Sequence, residues 1–180
     1  RYPNTKVHGN MFFAEQSKIP SKINYLNECI LENYGYVKPL GNDYGNYFKK
    51  LWPTEKVSTD PKVSANNKSQ VIMIEYGGKR ILLCGDIEIF AQSEIFKLYP
   101  GLRADIVVMP HHGSKTNLLE NYAEKLQAET VIASCSRRRL KNTQQEDKNI
   151  KSYFTPLTGA ITVKIHKNGK TKITTFNSID

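Results

Sequence analysis

Cysteine is scarce in this chain: Cys29, Cys84 and Cys135 are widely spaced, odd in number and form no C-x-x-C pair. Neither a zinc knuckle nor a disulfide framework follows from such spacing, and a reducing compartment fits it. Cys84 and Cys135 end apolar runs, where a free cysteine behaves as a small buried hydrophobe. Long apolar runs are also lacking; none approaches the ~20 residues that cross a bilayer. No charged-then-apolar leader follows Arg1, so no signal peptide is visible, and Arg1 marks either a chosen boundary or missing upstream sequence. A soluble form would be cytoplasmic, and a membrane-bound parent would attach it to the membrane. Acidic residues are outnumbered, 17 against 26 basic, for a net charge of +9. That excess favours polyanions such as nucleic acid or anionic lipid and says nothing of fold. A solvated basic surface explains it equally well. At 180 residues, 39% hydrophobic and 24% charged, the chain is one globular domain or part of one.

Residues 1–65 assign poorly. Ser21 ahead of Ile23, Leu26, Ile30 and Leu31 predicts a capped amphipathic helix. Tyr34 to Asn67, rich in Gly, Asn, Tyr, Pro and Lys, reads as a long surface connection. From Ser69 the pattern sharpens. VIMIEY, Gly77-Gly78 and KRILLC predict two strands around a two-residue turn, and their continuous apolar runs predict a sheet covered on both faces. Asp86 opens a predicted helix with Ile87, Phe90, Ala91 and Leu98 along one stripe. A strand DIVVM then leads into His111-His112-Gly113-Ser114. Asn117 and Glu120 resemble a capping box for a helix carrying Leu118, Leu119, Tyr122 and Leu126. Strand TVIAS, a basic run from Arg137 to Lys151, and a hairpin around Asn168-Gly169 complete the chain. The alternation describes a layered α/β domain with helices over a mixed sheet.

Two polar clusters directly follow buried strands: Gly85-Asp86 and His111-His112. A strand fixes the backbone while the next residue emerges at the sheet's edge. A carboxylate and an imidazole there are good ligands for Zn²⁺ or Mn²⁺, and a carboxylate can bridge a metal pair that activates water on a phosphodiester. Taken singly, Asp86 reads first as a helix N-cap and the two histidines as an exposed turn; two such clusters after successive strands make a stronger signal.

The stretch from NNKSQVIMIEYGGKRILLCGDIE through ADIVVMPHHGSKTN resembles the ComEC-type, DNA-uptake branch of the metallo-β-lactamase superfamily. The matching features are Asn66 to Ser69 (N-x-x-S before a strand), Gly85-Asp86, and His111 to Ser114. Phe154-Thr155 through Gly159-Ala160-Ile161 resembles that family's terminal hairpin, so the likeness covers roughly residues 66–176. It implies the C-terminal half of an αββα sandwich within a single 1–180 domain. It also implies two divalent metal ions, zinc or manganese, and hydrolysis. By the resemblance Asp86 is the metal-bridging aspartate and His111 the favoured late ligand. His112 is the alternative ligand or a supporting group, and Ser114 and Lys115 are phosphate contacts.

The superfamily's H-x-H-x-D-H motif does not occur. His8 lies in unassigned sequence, and His166 alternates outward on a strand. Two ligands do not hold a catalytic metal, so the resemblance implies that the motif comes from upstream sequence or a partner chain. Where the family carries N-x-Y-x-H-P, this chain reads SCSRRRLKNTQQEDK, which places Arg137, Arg138 and Arg139 near the same edge. They read either as a nucleic-acid backbone contact or as a solvated loop. Three functions stay open: a metal-dependent phosphodiesterase or nuclease, a hydrolase of another ester or amide, and a metal-free binding module.

Overall fold

A computed structural model describes residues 48–143 and 149–177. The expected Ser21 helix, His8 and Cys29 lie outside the described residues. The centre is a six-stranded sheet with strands in sequence order: β1 (Phe48–Trp52), β2 (Val71–Tyr76), β3 (Lys79–Leu83), β4 (Ile106–Val108), β5 (Thr130–Ala133) and β6 (Lys151–Phe154). The first three pair antiparallel and the last four parallel. Gly77 and Gly78, at φ 58° and 74°, make the β2–β3 turn the sequence predicts, because both positions need left-handed backbone. A short helix, α1 (Glu55–Thr59), follows β1. The parallel strands are linked through α2 (Ile89–Leu98), α3 (Tyr122–Lys125) and α4 (Arg137–Leu140). After β6 come α5 (Thr155–Thr158) and the separate two-stranded β7 (Ile161–Ile165) and β8 (Thr171–Thr175). The molecule is a mixed α/β domain, as the sequence implies.

One face of the sheet is dry. Val71, Met73, Leu82, Val107 and Val131 are buried in register against Ile87, Ala91, Ile95, Tyr122 and Leu126. Each fully buried aliphatic side chain of this kind contributes about 1.5–3 kcal/mol. The other face carries Ile72, Ile74, Ile81, Leu83, Val108 and Ile132 half-buried. The β7–β8 hairpin covers one end of it, where Ile106, Thr130 and Tyr153 line a cavity with Thr171 and Ile173. Coverage of both faces is therefore partial among the described residues.

Several sequence expectations need correcting. The supposed surface connection contains β1 from Phe48, and its Leu51 and Trp52 belong to the core; residues 34–47 lie outside the described residues. Asp86 does not cap α2. That helix starts at Ile89, its buried stripe is Ala91, Gln92 and Ile95, and Phe90 and Leu98 are exposed. No capping box forms at Asn117; α3 begins only after Asn121, which is left-handed and makes no side-chain cap. The basic run is not an uninterrupted loop, because Ser136 caps α4 through the amide of Arg139 and Lys151 begins β6. Cys84 is buried as expected, whereas Cys135 is only half-buried. No helix among the described residues is long and apolar enough to cross a membrane.

Candidate functional site

Three neighbouring parallel strands end at one edge of the sheet, the usual place for ligands in α/β folds. Asp86 follows β3, His111 and His112 follow β4, and Ser134 to Arg139 follow β5. The amide of His111 donates to the Gly85 carbonyl at 3.0 Å, which holds the first two loops together. His111 and His112 then adopt left-handed backbone, φ 47° and 61°, a conformation that non-glycine residues adopt at a cost. Gly113 continues the turn at φ 78°, and a Cβ there would lie 2.8 Å from Thr143 Cγ2, so only glycine fits.

This turn aims His112, not the favoured His111, at the carboxylate. His112 Nε2 lies 3.7 Å from Asp86 Oδ1, and its Nδ1 lies 2.7 Å from the Ser134 carbonyl. A carbonyl only accepts, so Nδ1 carries the proton of that bond and Nε2 is the ring nitrogen that faces Asp86. A carboxylate oxygen and Nε2 thus face each other, an arrangement satisfied by a proton on Nε2 or by a cation between them. A backbone carbonyl on the remote ring nitrogen is the usual way a metal-binding imidazole is oriented. His111 makes only a 3.4 Å approach of Nδ1 to the Asp86 backbone carbonyl. Asp86 and His112 are each about half exposed, 50% and 45% at the side chain, so the pair is open to an incoming group.

Asn67, buried at 7% exposure, fixes the loop that carries Asp86. Its Oδ1 accepts from the amides of Glu88 and Ala91 at 3.0 and 3.2 Å. Its Nδ2 donates to the Glu88 carboxylate at 3.0 Å, and its carbonyl accepts from the Trp52 indole at 2.7 Å. Asn67 therefore caps α2 from outside that helix, a role Glu88 does not fill with its own side chain. Behind the same loop, Cys84 is wholly buried, and burial pushes its thiol up to about 12 despite a bond to Tyr122. A thiol held protonated at neutral pH belongs to the core.

Of the expected substrate contacts, Arg139 and Ser114 line a cavity of about 200 Å³ with His111, His112, Asn142 and Thr143. Arg139 also borders a second cavity with His112, Ser134, Cys135 and Ser136. Ser114 Oγ contacts Thr116 Oγ1 at 3.2 Å. Arg137, Arg138 and Lys115 are exposed and line neither cavity. Ser134, Asn142, Thr143 and Asn67 were not singled out individually; Asn67 was visible only inside the N-x-x-S stretch. Asp86 and His112 bring together a carboxylate oxygen and an imidazole nitrogen, donor types that zinc and manganese take. Among the described residues no group of three His, Cys, Asp or Glu assembles, so this edge is a partial donor set.

No family model matches the chain. Curated relatives do. ComE operon protein 3 of Bacillus subtilis is 37% identical over 78 residues, 43% of this chain and 10% of the relative. Recombination protein 2 of Haemophilus influenzae is 31% identical over 121 residues, 66% of this chain and 14% of the relative. Competence protein ComA of Neisseria gonorrhoeae is 30% identical over 88 residues, 48% and 12%. The chain resembles one segment of ComEC-like competence proteins. It spans between about a tenth and a seventh of the length of these competence relatives.

Proposed function

We propose that this chain is part of a DNA-uptake protein and supplies one half of the catalytic edge of a metallo-β-lactamase-type phosphodiesterase acting on nucleic acid. The competence names of the relatives support the DNA-uptake role. The observation that carries the chemistry is the 3.7 Å approach of His112 Nε2 to Asp86 Oδ1 at the C-terminal edge of adjacent parallel strands. The remaining ligands come from outside the described residues. Two divalent ions, zinc or manganese, would supply an activated water and polarise a phosphoryl oxygen when bound. Asp86 would hold them by carboxylate oxygens and His112 by Nε2. The Ser134 carbonyl holds His112 in the tautomer that can bind, and Arg139, bordering the same cavity, provides a fixed positive charge for the phosphate.

The test is metal content and turnover in the longer parent protein, which carries the remaining ligands together with this chain. Asp86→Asn and His112→Gln should each lose bound zinc or manganese by elemental analysis. Hydrolysis of a small chromogenic phosphodiester should fall by at least about a hundredfold, a loss typical of removing one preorganised electrostatic partner. Unchanged metal content in Asp86→Asn would leave the metal-free binding module as the better description.

A further inference from the structure

We propose that the outward face of the β7–β8 hairpin is a binding surface for single-stranded nucleic acid. It leads to the edge that carries Asp86 and His112. Residues 149–177 contain five lysines and no acidic residue. Alternation along the two strands turns Ile161, Val163, Ile165 and Ile173 inward and leaves Lys164, Lys172, Thr162 and Thr174 exposed. Lys164 and Lys172 are directly paired across the ladder, an arrangement of like charges that costs stability. Lys167 and Lys170 at the turn add to the same positive field and are also exposed. Among the described residues no carboxylate lies within ion-pair distance of any of these four. Glu129 lines the same cavity as Lys172 but is paired with Lys79, so an external anion is left to neutralise the lysine pair.

The same face ends in an aromatic ring. Phe176 continues the parity of Lys172 and Thr174, its amide donates to the Ala160 carbonyl, and it is 84% exposed. Lysines tracking a backbone beside an aromatic platform for a base form the composition of a single-strand site. Alternate strand residues repeat at roughly 6.6 Å, the scale of one nucleotide step in an extended strand. A duplex offers no free base face to Phe176. An anionic membrane would attract the same lysines, but with one apolar side chain this face has no stripe to insert into it, whereas a single strand also engages Phe176.

The hairpin runs the height of the sheet. Its turn abuts the β2–β3 turn, where a Cβ on Gly77 would meet the His166 carbonyl. Its open end is tied to α5 by the Asn177 amide on the Thr158 carbonyl. Thr155 of α5 in turn bonds Cys135, both to its amide and to its carbonyl, next to the Ser134 that orients His112. A strand lying from Lys170 to Phe176 thus approaches the catalytic edge. This part of the inference rests on the function proposed above, whereas the binding itself does not.

The experiment is a salt titration of oligo(dT) binding to the full chain, in chelator so that hydrolysis plays no part. A duplex of equal length and vesicles containing phosphatidylserine are measured alongside. The triple variant Lys164→Ser, Lys170→Ser, Lys172→Ser should lower the log–log salt slope by about two, at ~0.7 per single-strand phosphate contact. Its melting temperature should not fall, because the like-charge pair is removed. Phe176→Ser should weaken oligo(dT) binding about tenfold at unchanged slope, and abolish the preference over duplex. An unchanged slope in the triple variant overturns the proposal, as does binding to the vesicles with none to oligo(dT). Turnover of a small phosphodiester should be the same in all these proteins. Its absence from the wild-type parent protein that carries the remaining ligands would refute the catalytic reading and leave the binding result standing.

Discussion

His111 and His112 hold consecutive left-handed backbone angles, at a cost of roughly 1–2 kcal/mol for each residue with a Cβ. Such strain persists where the geometry it creates is used, and here it turns His112 toward Asp86. Glycine at either position removes the same backbone penalty and adds the same freedom to the unfolded chain, so the two variants isolate the side chains. We expect His111→Gly and His112→Gly both to melt within about 4 °C of wild type, the shift of about 1 kcal/mol in a chain of this size. Only His112→Gly should lose bound zinc or manganese. The reverse order, measured by metal analysis, would assign the ligand to His111. The residue types and their places after strands were legible in the sequence. Which imidazole is aimed was not, because the Ser134 carbonyl that orients His112 arrives from a different strand.

At the scale of elements, the hairpin β2–β3, strands β4 and β5, and the terminal hairpin follow from runs of apolar residues broken by Gly-Gly and Asn-Gly. β1 was hidden. Its register shifts between Lys50 and Trp52, which breaks the alternation that marks a strand, and Gly- and Asn-rich sequence precedes it. The start of α2 was misplaced because its cap is Asn67, distant in sequence and close in space, and a local pattern cannot show that. The Asn67→Asp variant tests this tie. The new carboxylate keeps the acceptor for the Glu88 and Ala91 amides, but opposes the Glu88 carboxylate that Asn67 Nδ2 now contacts. Burial and the Glu88 carboxylate would raise its folded-state pKa above the unfolded value of about 3.9, outweighing the Glu88 and Ala91 amides, which lower it. A raised carboxyl costs stability as pH climbs from the unfolded towards the folded value. The variant should therefore match wild type near pH 4 and lose about 1–3 kcal/mol by pH 8, read by denaturant melts. A difference independent of pH would mean that no charge opposition develops between residue 67 and Glu88.

At the scale of the described molecule the two edges of the sheet carry different groups. The C-terminal edge of the parallel strands carries Asp86, His112 and Arg139, while the opposite edge holds a charge cluster around Asp105. The Asp105 carboxylate accepts from the Arg80 amide at 2.7 Å and lies 3.6 Å from both Lys79 Nζ and Arg80 Nε. It joins the approach to β4 to the start of β3. Burial raises the Asp105 carboxyl, but the Arg80 amide and the two cations outweigh it and hold the group below its ordinary range. Lys79 is raised, first by its bond to Glu129, against burial, which lowers it. A depressed carboxyl stabilises the fold above its unfolded pKa, and that contribution is lost as pH falls through the folded value. A raised lysine stabilises below its unfolded pKa of about 10.4, and that is lost as pH rises through its folded value. Between roughly pH 5 and 9 both contributions are present in full. Asp105→Asn should lower the melting temperature throughout that window and flatten its decline between about pH 4 and 2, because the group that titrates there is gone. Since the cluster sits at the edge opposite Asp86 and His112, bound zinc or manganese at pH 7 should be unchanged in the variant. Calorimetric scans from pH 2 to 7 with parallel metal analysis measure both. An acid limb as steep as wild type would move the acid sensitivity to another carboxylate.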